Sequence, residues 1–320
     1  MFGLKEDEDM LSLLWIQAGA CSGDSMALLS AESPDLLQAL EALHIEILWH
    51  PSLSTVSLAF VAEPILAGER PLNILVIEGA ILTGPDGTGM FDTFQGKPRK
   101  DFVLNLCEQA DVIVAVGTCA AFGGIPAAHP NPTDAVGMQF LREELEGGLL
   151  EAGWRSKKGL PVINLSGCPV HPNTVLQTLA FVATGAKLEL DHLHRPAEFY
   201  ETLVHQGCTR NEYHEYDVEE TRLGTAGCMF FNLGCQGPRT IATCNAILWN
   251  GQSSKTRAGV PCFGCTSPSF PRPEDLFVTE KLGSVPTRLP LGVDRAAYMS
   301  YKGLAAAAVP LRLTNRKTKF

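Results

Sequence analysis

Four short stretches decide how the last third of this chain folds: HQGC at residues 205–208, GCMFFNLGCQGP at 227–238, CNAILWN at 244–250 and PCFGC at 261–265. Few long apolar runs separate them, so this part of the chain is poorly supplied for an apolar core of its own. A segment so rich in thiols is typical of a fold built around metal. We interpret it as a segment that holds iron–sulfur clusters. Its candidate ligands are His205, Cys208, Cys228, Cys235, Cys244, Cys262 and Cys265.

Two other uses of these cysteines stay open. Disulfides belong to oxidising compartments, and the acidic start MFGLKEDEDM has no apolar core. We therefore expect no Sec or twin-arginine leader and a cytoplasmic location, which disfavours disulfides. Structural zinc usually takes two close cysteine pairs, and here only Cys262 and Cys265 form a CxxC. A zinc-stapled interaction protein is thus the less favoured alternative.

Composition restricts the partners. The chain has 320 residues, of which 45% are hydrophobic, enough for two domains. No run approaches the roughly 18 apolar residues of a membrane helix, so we expect no direct membrane span and at most a peripheral association. The net charge of −10 makes nucleic acid a poor partner.

Apolar runs alternate with amphipathic stretches from residue 11 to about residue 185. The runs end in glycine or small residues, as buried parallel strands do: LSLLWIQAG (11–19), IEILWH (45–50), LNILVIEGAIL (72–82), DVIVAVGT (111–118) and PVINLSG (161–167). Helical spacing occurs between them at 33–43, 100–110, 137–153 and 171–185. Ser33 with Pro34, and Pro172, are expected to open the first and last of these helices. The pattern predicts an α/β, doubly wound parallel sheet.

Four polar residues follow these strands and are candidate ligands: Cys21, Asp24, Cys119 and Cys168. Sites in such folds lie beyond the carboxyl ends of the strands, so loops from three strands converge on one edge. Neighbouring glycines let backbone N–H groups approach cluster sulfurs. Each residue has a simpler interpretation: Cys119 and Cys168 as small buried side chains, Asp24 as a helix cap. Cys107 lies among apolar helix positions and is assigned to the core.

The chain resembles the small, iron–sulfur subunit of [NiFe] hydrogenases over nearly its whole length. The matching pieces are LLWIQAGACSGDS (13–25), LVIEGAI (75–81), VGTCAAFGGIPAA (116–128), LSGCPVHPN (165–173), RPAEFYETLVHQGCTR (195–210) and the cysteine-rich stretches quoted first. The resemblance implies a flavodoxin-like domain over residues 1–190 and an irregular, cluster-binding domain over residues 191–320.

The resemblance also implies three clusters. A proximal [4Fe–4S] cluster is expected on Cys21, Asp24, Cys119 and Cys168. A medial cluster is expected on Cys244, Cys262 and Cys265; three thiolates favour [3Fe–4S], with [4Fe–4S] open. A distal [4Fe–4S] cluster is expected on His205, Cys208, Cys228 and Cys235. His205 and Cys208 are three apart in a helical pattern starting near Ala197, so both are expected on one side.

The implied function is electron transfer, from H2 oxidation at the Ni–Fe site of a large subunit, through the clusters, to an acceptor that the sequence does not identify. No catalytic residue is expected in this chain. The heterodimer is expected to associate further, as a dimer or a higher assembly. Glu78, in LVIEGAI, either faces the large subunit or its proton path, or is a structural hydrogen-bond acceptor.

The proximal motif departs from the commonest family pattern. The usual CxxC is CSGD here, so the Asp24 carboxylate replaces a thiolate. This is similar to the actinobacterial-type, high-affinity, oxygen-insensitive enzymes. No extra cysteine adjoins Cys21 or Cys119, so oxygen tolerance through a six-cysteine cluster is not expected.

Two related functions remain as alternatives. A regulatory hydrogenase of the same build would sense H2 and signal to a kinase. An electron-transfer protein of a quinone-reducing respiratory enzyme would share only the N-terminal half.

Overall fold

The computed structural model describes residues 10–316 and divides into two compact units, Met1–Ala197 and Glu198–Phe320. The division predicted from the sequence lies after residue 190. Nine of the acidic first ten residues, on which the expected absence of a leader rests, lie outside the described residues. Within residues 10–316, every helix is too short or too polar to cross a membrane.

The first unit is built on a five-stranded parallel sheet. Its strands are β1 (Leu11–Gln17), β2 (Ile45–Trp49), β3 (Leu72–Glu78), β4 (Ala110–Val116) and β5 (Ile163–Leu165). Their order across the sheet is β2-β1-β3-β4-β5, with every neighbouring pair parallel. Each predicted apolar run supplies one strand. This is the flavodoxin-like order, so the predicted fold class is confirmed.

Within residues 10–197, six helices accompany this sheet: α1 (Gly23–Leu29), α2 (Leu36–Ala42), α3 (Leu58–Leu66), α4 (Arg99–Gln109), α5 (Gly117–Phe122) and α6 (Pro172–Thr184). Successive strand side chains point to opposite faces. In β1, Leu14 and Ile16 join the core beneath α3 and α4, whereas Leu13 and Trp15 join the core beneath α1, α2 and α6. The sheet is therefore buried on both faces by apolar packing.

The predicted helix over residues 137–153 is wrong. The segment runs through turns, with one 3-10 turn at Leu145–Gly147. Its backbone bonds to neighbouring elements instead: Met138 N–H donates to Ala120 C=O at 2.8 Å. A Cβ at Gly148 would lie 2.3 Å from the backbone of Gln139, so the chain folds tightly on itself there. Tertiary contacts override the helical spacing.

The first predicted helix begins later than expected. Asp35 caps α2: its carboxylate accepts the Gln38 N–H at 2.9 Å, and the Gln38 side-chain oxygen accepts the Asp35 N–H at 3.4 Å. Ser33 and Pro34 therefore precede the helix, because a complete capping box forms two residues later. Pro172 does open α6, as predicted, and the His171 ring caps it.

The second unit has little regular structure. It contains α7 (Asn211–Glu215) and α8 (Arg295–Ala307). A two-residue ladder pairs Lys281–Leu282 with Val285–Pro286. Further 3-10 turns span Ala197–Phe199, Gly237–Arg239, Pro273–Asp275 and Leu311–Arg316.

The first unit also has two short antiparallel ladders, which pair Ile81–Leu82 with Ala135–Val136 and Thr93–Phe94 with Lys97–Pro98.

Candidate functional site

The four candidate ligands of the first unit follow three strands. Cys21 lies between β1 and α1, and Asp24 lies in the first turn of α1. Cys119 lies in α5, which follows β4 directly, and Cys168 follows β5. All four thus stand at the carboxyl edge of the sheet, as the sequence predicted.

Hydrogen bonds tie the loops that carry these residues. The Val170 N–H donates to Asp24 Oδ1 at 2.7 Å, which joins α1 to the loop after β5. Thr118 and Gly167 exchange two bonds: the Thr118 N–H donates to the Gly167 C=O at 2.8 Å, and the Gly167 N–H donates to Thr118 Oγ1 at 2.9 Å. The loops after β4 and β5 are therefore held together.

Two glycines allow the backbone to approach the candidate ligands. A Cβ at Gly117, where φ is +86°, would lie 2.1 Å from Asp24 Oδ2. A Cβ at Gly124, where φ is +53°, would lie 2.7 Å from Cys119 Sγ. Any larger residue would be strained by the positive φ and would displace the ligand atom.

The same residues are electrostatically coupled. Burial raises the pKa of Cys119 to about 11, the Ile125 N–H lowers it, and the negative charges of Asp24, Cys21 and Glu78 raise it further. Burial also raises the pKa of Asp24 to about 7, against the Val170 N–H and with a contribution from Glu78. Thiolate and carboxylate forms are therefore costly here unless a cation accompanies them.

Glu78 organises the start of α1. Its carboxylate is 1% exposed and accepts bonds from the backbone N–H groups of Asp24 (3.1 Å) and Ser25 (3.2 Å). It also accepts from the Trp15 indole at 2.9 Å, the Gln17 amide at 3.0 Å and the Ser25 hydroxyl. Of its two predicted roles, the structure shows the hydrogen-bond acceptor.

The interpretation of Asp24 as a helix cap is wrong. Ser22 occupies the cap position, with φ +63° and no side-chain cap bond, and Glu78 accepts the N–H groups that a cap would take. The Asp24 side chain is free of that role because a carboxylate from β3 performs it.

In the second unit, one cavity is lined by all four predicted distal ligands. It is bounded by His205, Cys208, Cys228 and Cys235 together with Arg210, Phe230 and other neighbouring residues. Cys228 and Cys235 are buried, and burial raises the pKa of Cys235 to about 11 and that of Cys228 well above its usual value. A metal ion or cluster would supply the positive charge that these thiols need in order to ionise.

Backbone N–H groups point at the sulfurs of this cavity. Arg210 N–H lies 3.4 Å from Cys208 Sγ, Phe230 N–H lies 3.4 Å from Cys228 Sγ, and Cys262 N–H lies 3.3 Å from Cys235 Sγ. Such donors stabilise thiolates and cluster sulfurs. The donor set therefore fits an iron–sulfur cluster.

Arg210 had no candidate role in the sequence, yet it lies at the same cavity. It is 9% exposed, lines the same cavity, and donates its guanidinium protons to the carbonyls of Thr256 (2.7 Å), Gly227 (2.7 Å) and Thr225. Its hydrogen-bond partners are neutral, so the cavity carries a buried cation. A buried charge is costly unless an opposite charge lies nearby, and Glu219, whose charge helps to raise the pKa of Cys228 and Cys235, supplies one beside this cavity.

The helix expected around His205 and Cys208 is wrong. The 3-10 turn ends at Phe199, and the two residues lie in a separate turn in which the Cys208 N–H donates to the His205 C=O at 3.1 Å. That turn still brings both side chains to one cavity. Burial, then the nearby His214, lower the pKa of His205 to about 4, so its ring is neutral and has a lone pair for a metal.

The three remaining cysteines form a neighbouring group. The negative charge of Cys265 contributes to raising the pKa of both Cys244 and Cys262, after burial, and Cys244 also acts on Cys262. The Gly264 N–H lies 3.5 Å from Cys262 Sγ, and Lys255 Nζ lies 3.7 Å from Cys265 Sγ. The three predicted medial residues are thus brought together, with two donors directed at their sulfurs.

His214 was given no role from the sequence, yet it lies beside the distal cavity. Its Nδ1 is 2.6 Å from Glu219 Oε1, and its ring contacts those of His205 and Phe230. His214, Glu219 and Cys228 place three potential ligand atoms within 4.8 Å of one another. The position of His214 in the sequence, relative to the candidate ligands, did not indicate that it would contact His205 and Glu219.

The remaining cysteine behaves as predicted. Cys107 is 1% exposed, lies in α4, and belongs to the apolar core beneath that helix. No disulfide joins any of the ten cysteines in the structure.

Comparison with known proteins covers both units. Residues 21–182 match a family model described as NADH ubiquinone oxidoreductase, 20 Kd subunit. Residues 200–278 match the C-terminal family model of the NiFe/NiFeSe hydrogenase small subunit. The first match lies in the N-terminal half, which the chain would share with an electron-transfer protein of a respiratory enzyme. The second match lies in the C-terminal half, which such a protein would not share.

Individual relatives span most of the chain. The F420 non-reducing hydrogenase II small subunit of Methanosarcina mazei is 34% identical over 81% of this chain and 73% of its own length. The periplasmic [NiFe] hydrogenase small subunit 1 of Nitratidesulfovibrio vulgaris is 32% identical over 81% and 79%. The actinobacterial-type NiFe-hydrogenase of Ralstonia eutropha H16 superimposes with a TM-score of 0.76 at 27% identity, over 95% of this chain and 92% of that one.

Hydrogenase small subunits carry iron–sulfur clusters and work beside a large subunit. Both units of this chain, and the order of its motifs, match such proteins. The chain belongs to the small subunits of [NiFe] hydrogenases, the electron-transfer subunits whose partner, the large subunit, holds the Ni–Fe active site.

Proposed function

We propose that this chain transfers electrons from H2 oxidation through three clusters held by specified residues. The proximal [4Fe–4S] cluster has the ligands Cys21, Asp24, Cys119 and Cys168. The medial [3Fe–4S] cluster has Cys244, Cys262 and Cys265. The distal [4Fe–4S] cluster has His205, Cys208, Cys228 and Cys235. When bound, such clusters accept and release single electrons.

The observation that carries this proposal is the cavity lined by His205, Cys208, Cys228 and Cys235. A neutral imidazole and three thiols meet there, backbone N–H groups point at the sulfurs, and Arg210 adds a buried positive charge. A neutral histidine in place of a thiolate also leaves the site less negative, which raises its reduction potential.

A short connection between the medial and distal residues supports electron transfer within the second unit. The Cys262 N–H donates to Cys235 Sγ at 3.3 Å. One hydrogen bond therefore joins a proposed medial ligand to a proposed distal ligand. The role of these residues is to hold the two groups in a fixed relation and to exclude water, since both cysteines are buried.

An EPR-monitored redox titration of the heterodimer tests the ligand assignment. We expect three centres that H2 reduces, one of which gives a three-iron signal when oxidised. A colourless sample that contains zinc would contradict the proposal. H2 turnover in the absence of a kinase partner separates an uptake enzyme from a regulatory one.

Asp24→Cys tests the carboxylate ligand. We expect unchanged iron content with an altered proximal spectrum and potential, because sulfur replaces a harder oxygen ligand. Asp35→Cys is the matched control, since Asp35 only caps α2. A proximal spectrum identical to the wild type would exclude Asp24 as a ligand.

The subtype, assembly and location are further parts of the proposal. The CSGD motif and the likeness to an actinobacterial-type enzyme support high-affinity, oxygen-insensitive H2 uptake, which H2 consumption at trace concentrations in air tests. Mass photometry tests for a dimer of heterodimers or a larger assembly. Cell fractionation tests the cytoplasmic location, because the relatives include periplasmic enzymes.

A further inference from the structure

A small recess on the second unit is lined by two arginines and several hydroxyl groups. Its polar lining comprises Gln236, Arg239, Thr240, Ser267, Ser269 and Arg272, with Phe263 and Phe270 as walls. No carboxylate belongs to this lining. The recess is distinct from the cavity of the candidate distal ligands, since the two share no lining residue.

The two guanidinium groups are not neutralised by ion pairs. Among residues 10–316, no carboxylate lies within 4.0 Å of Arg239 or Arg272, whereas the nearby Glu274 and Asp275 pair with Arg288. Burial, then the charges of Arg272 and Arg288, lower the pKa of Arg239, and Asp275 opposes this only in part. The like charges therefore repel one another.

Both arginines keep hydrogen-bond donors available. Arg239 uses Nη1 for the Leu289 C=O at 2.9 Å, and Arg272 uses Nε and Nη2 for Ser269 Oγ at 3.0 and 2.6 Å. No bond is made by Arg239 Nε and Nη2 or by Arg272 Nη1 within the described part of the chain. The Ser269 hydroxyl accepts from Arg272, so its own proton can be donated to a ligand.

This donor set matches a tetrahedral oxyanion. Guanidinium forks bind phosphate oxygens in pairs, and neighbouring hydroxyls complete the contacts. The surrounding unit favours the same sign of ligand: residues 198–320 contain 14 basic and 11 acidic side chains, against 11 and 24 in residues 1–197.

We propose that this recess binds a phosphate group, either inorganic phosphate or the phosphate of a small electron carrier. The recess is adjacent in sequence to proposed ligands, since Gln236 follows Cys235 and Gly264 precedes Cys265. A bound phosphate would offset the two arginine charges beside these segments. The proposal does not depend on the cluster ligand sets, because neither arginine is among them.

Isothermal titration of the purified heterodimer with inorganic phosphate, at low ionic strength, tests the proposal. We expect one site, and about tenfold weaker binding in Arg272→Gln, since a charge-assisted bond is lost. Arg295→Gln, which removes an exposed arginine at the start of α8, is the matched control and should bind as the wild type does. Within residues 10–316, the Arg272 guanidinium bonds only to the Ser269 hydroxyl, in its own turn, so the variant should fold, and its thermal midpoint verifies this.

Titration with FMN and riboflavin distinguishes the two sources. If FMN binds more tightly than inorganic phosphate, and this binding is lost in Arg272→Gln, the ligand is the phosphate group of a carrier. If FMN binds no more tightly than inorganic phosphate, and the binding of both is lost in that variant, the ligand is free phosphate. No heat of phosphate binding, or binding unchanged in both Arg272→Gln and Arg239→Gln, would overturn the proposal.

Discussion

The two units use their candidate ligands in different ways. In the first unit, the candidate ligands follow the ends of strands and belong to neither of the two apolar cores that cover the sheet, although Cys119 packs against a small alanine cluster. In the second unit, Cys228, Cys235 and Cys262 are themselves members of the main apolar cluster. We therefore expect the first unit to stay folded without metal and the second to depend on the metal that its cysteines are proposed to bind.

Removal of iron should reveal this contrast most strongly. Under anaerobic chelation of the heterodimer, we expect residues 198–316 to become susceptible to proteolysis and to lose hydrogen-exchange protection, while β1, β3 and β4 keep theirs. Limited proteolysis with peptide-resolved hydrogen exchange measures both. Equal protection of the two units after iron loss would show that the second also has a sufficient apolar core.

Single-ligand variants sharpen the same contrast. Cys119→Ala should lose the proximal signal while its unit stays folded, whereas Cys235→Ala should lose the distal signal and also destabilise its unit. Iron content, EPR and the thermal midpoint of each variant provide the comparison. Cys107→Ala is the matched control for iron content, because it removes a cysteine that lies in the core. The contrast fails if both ligand variants lower the midpoint equally.

Glu78→Gln tests whether the first unit needs its buried carboxylate. An amide cannot accept all the bonds that Glu78 receives from α1, Trp15 and Gln17. We expect a loss of about 2–3 kcal/mol in local stability, the cost of buried donors left without partners. Faster hydrogen exchange at the Asp24 and Ser25 amides would measure this loss. The control Glu69→Gln, at an exposed position, should leave the exchange rates of both amides unchanged.

The smallest expected effect belongs to Cys107→Ala. Removing a buried sulfur leaves a small cavity and should lower stability by about 1–2 kcal/mol, with iron content and all EPR signals unchanged. Thermal unfolding of the heterodimer measures it. Loss of any iron signal would show that Cys107 has a role beyond packing.

Much of the first unit followed from its sequence. Buried parallel strands are continuous apolar runs, so all five were predictable, and the position of the candidate ligands at their ends followed from the rule for such sheets. The structure of segment 137–153 was not predictable, because backbone hydrogen bonds to other elements, such as the one from Met138 to Ala120, override its helical spacing. Glu78 was underestimated, since one glutamate at a strand end does not reveal the amides it will meet.

In the second unit, the sequence indicated the candidate ligands but not the backbone that carries them. Cysteine and histidine positions are a chemical signal that does not require knowledge of the fold. The turn at His205 and Cys208 has no such signal, so a helix was expected there. Arg210 and the pair His214 and Glu219 were missed because buried polar contacts between distant loops leave no periodic pattern.

Arg210 has a consequence for biosynthesis. Guanidinium groups stay protonated at every physiological pH, whereas the raised pKa values keep the thiols of Cys228 and Cys235 neutral before metal arrives. In a newly made chain, the fixed charges beside the cavity are therefore the Arg210 guanidinium and the Glu219 carboxylate, which are opposite in sign. Salt screens both charges, so the rate of cluster transfer into this chain should change as salt concentration rises.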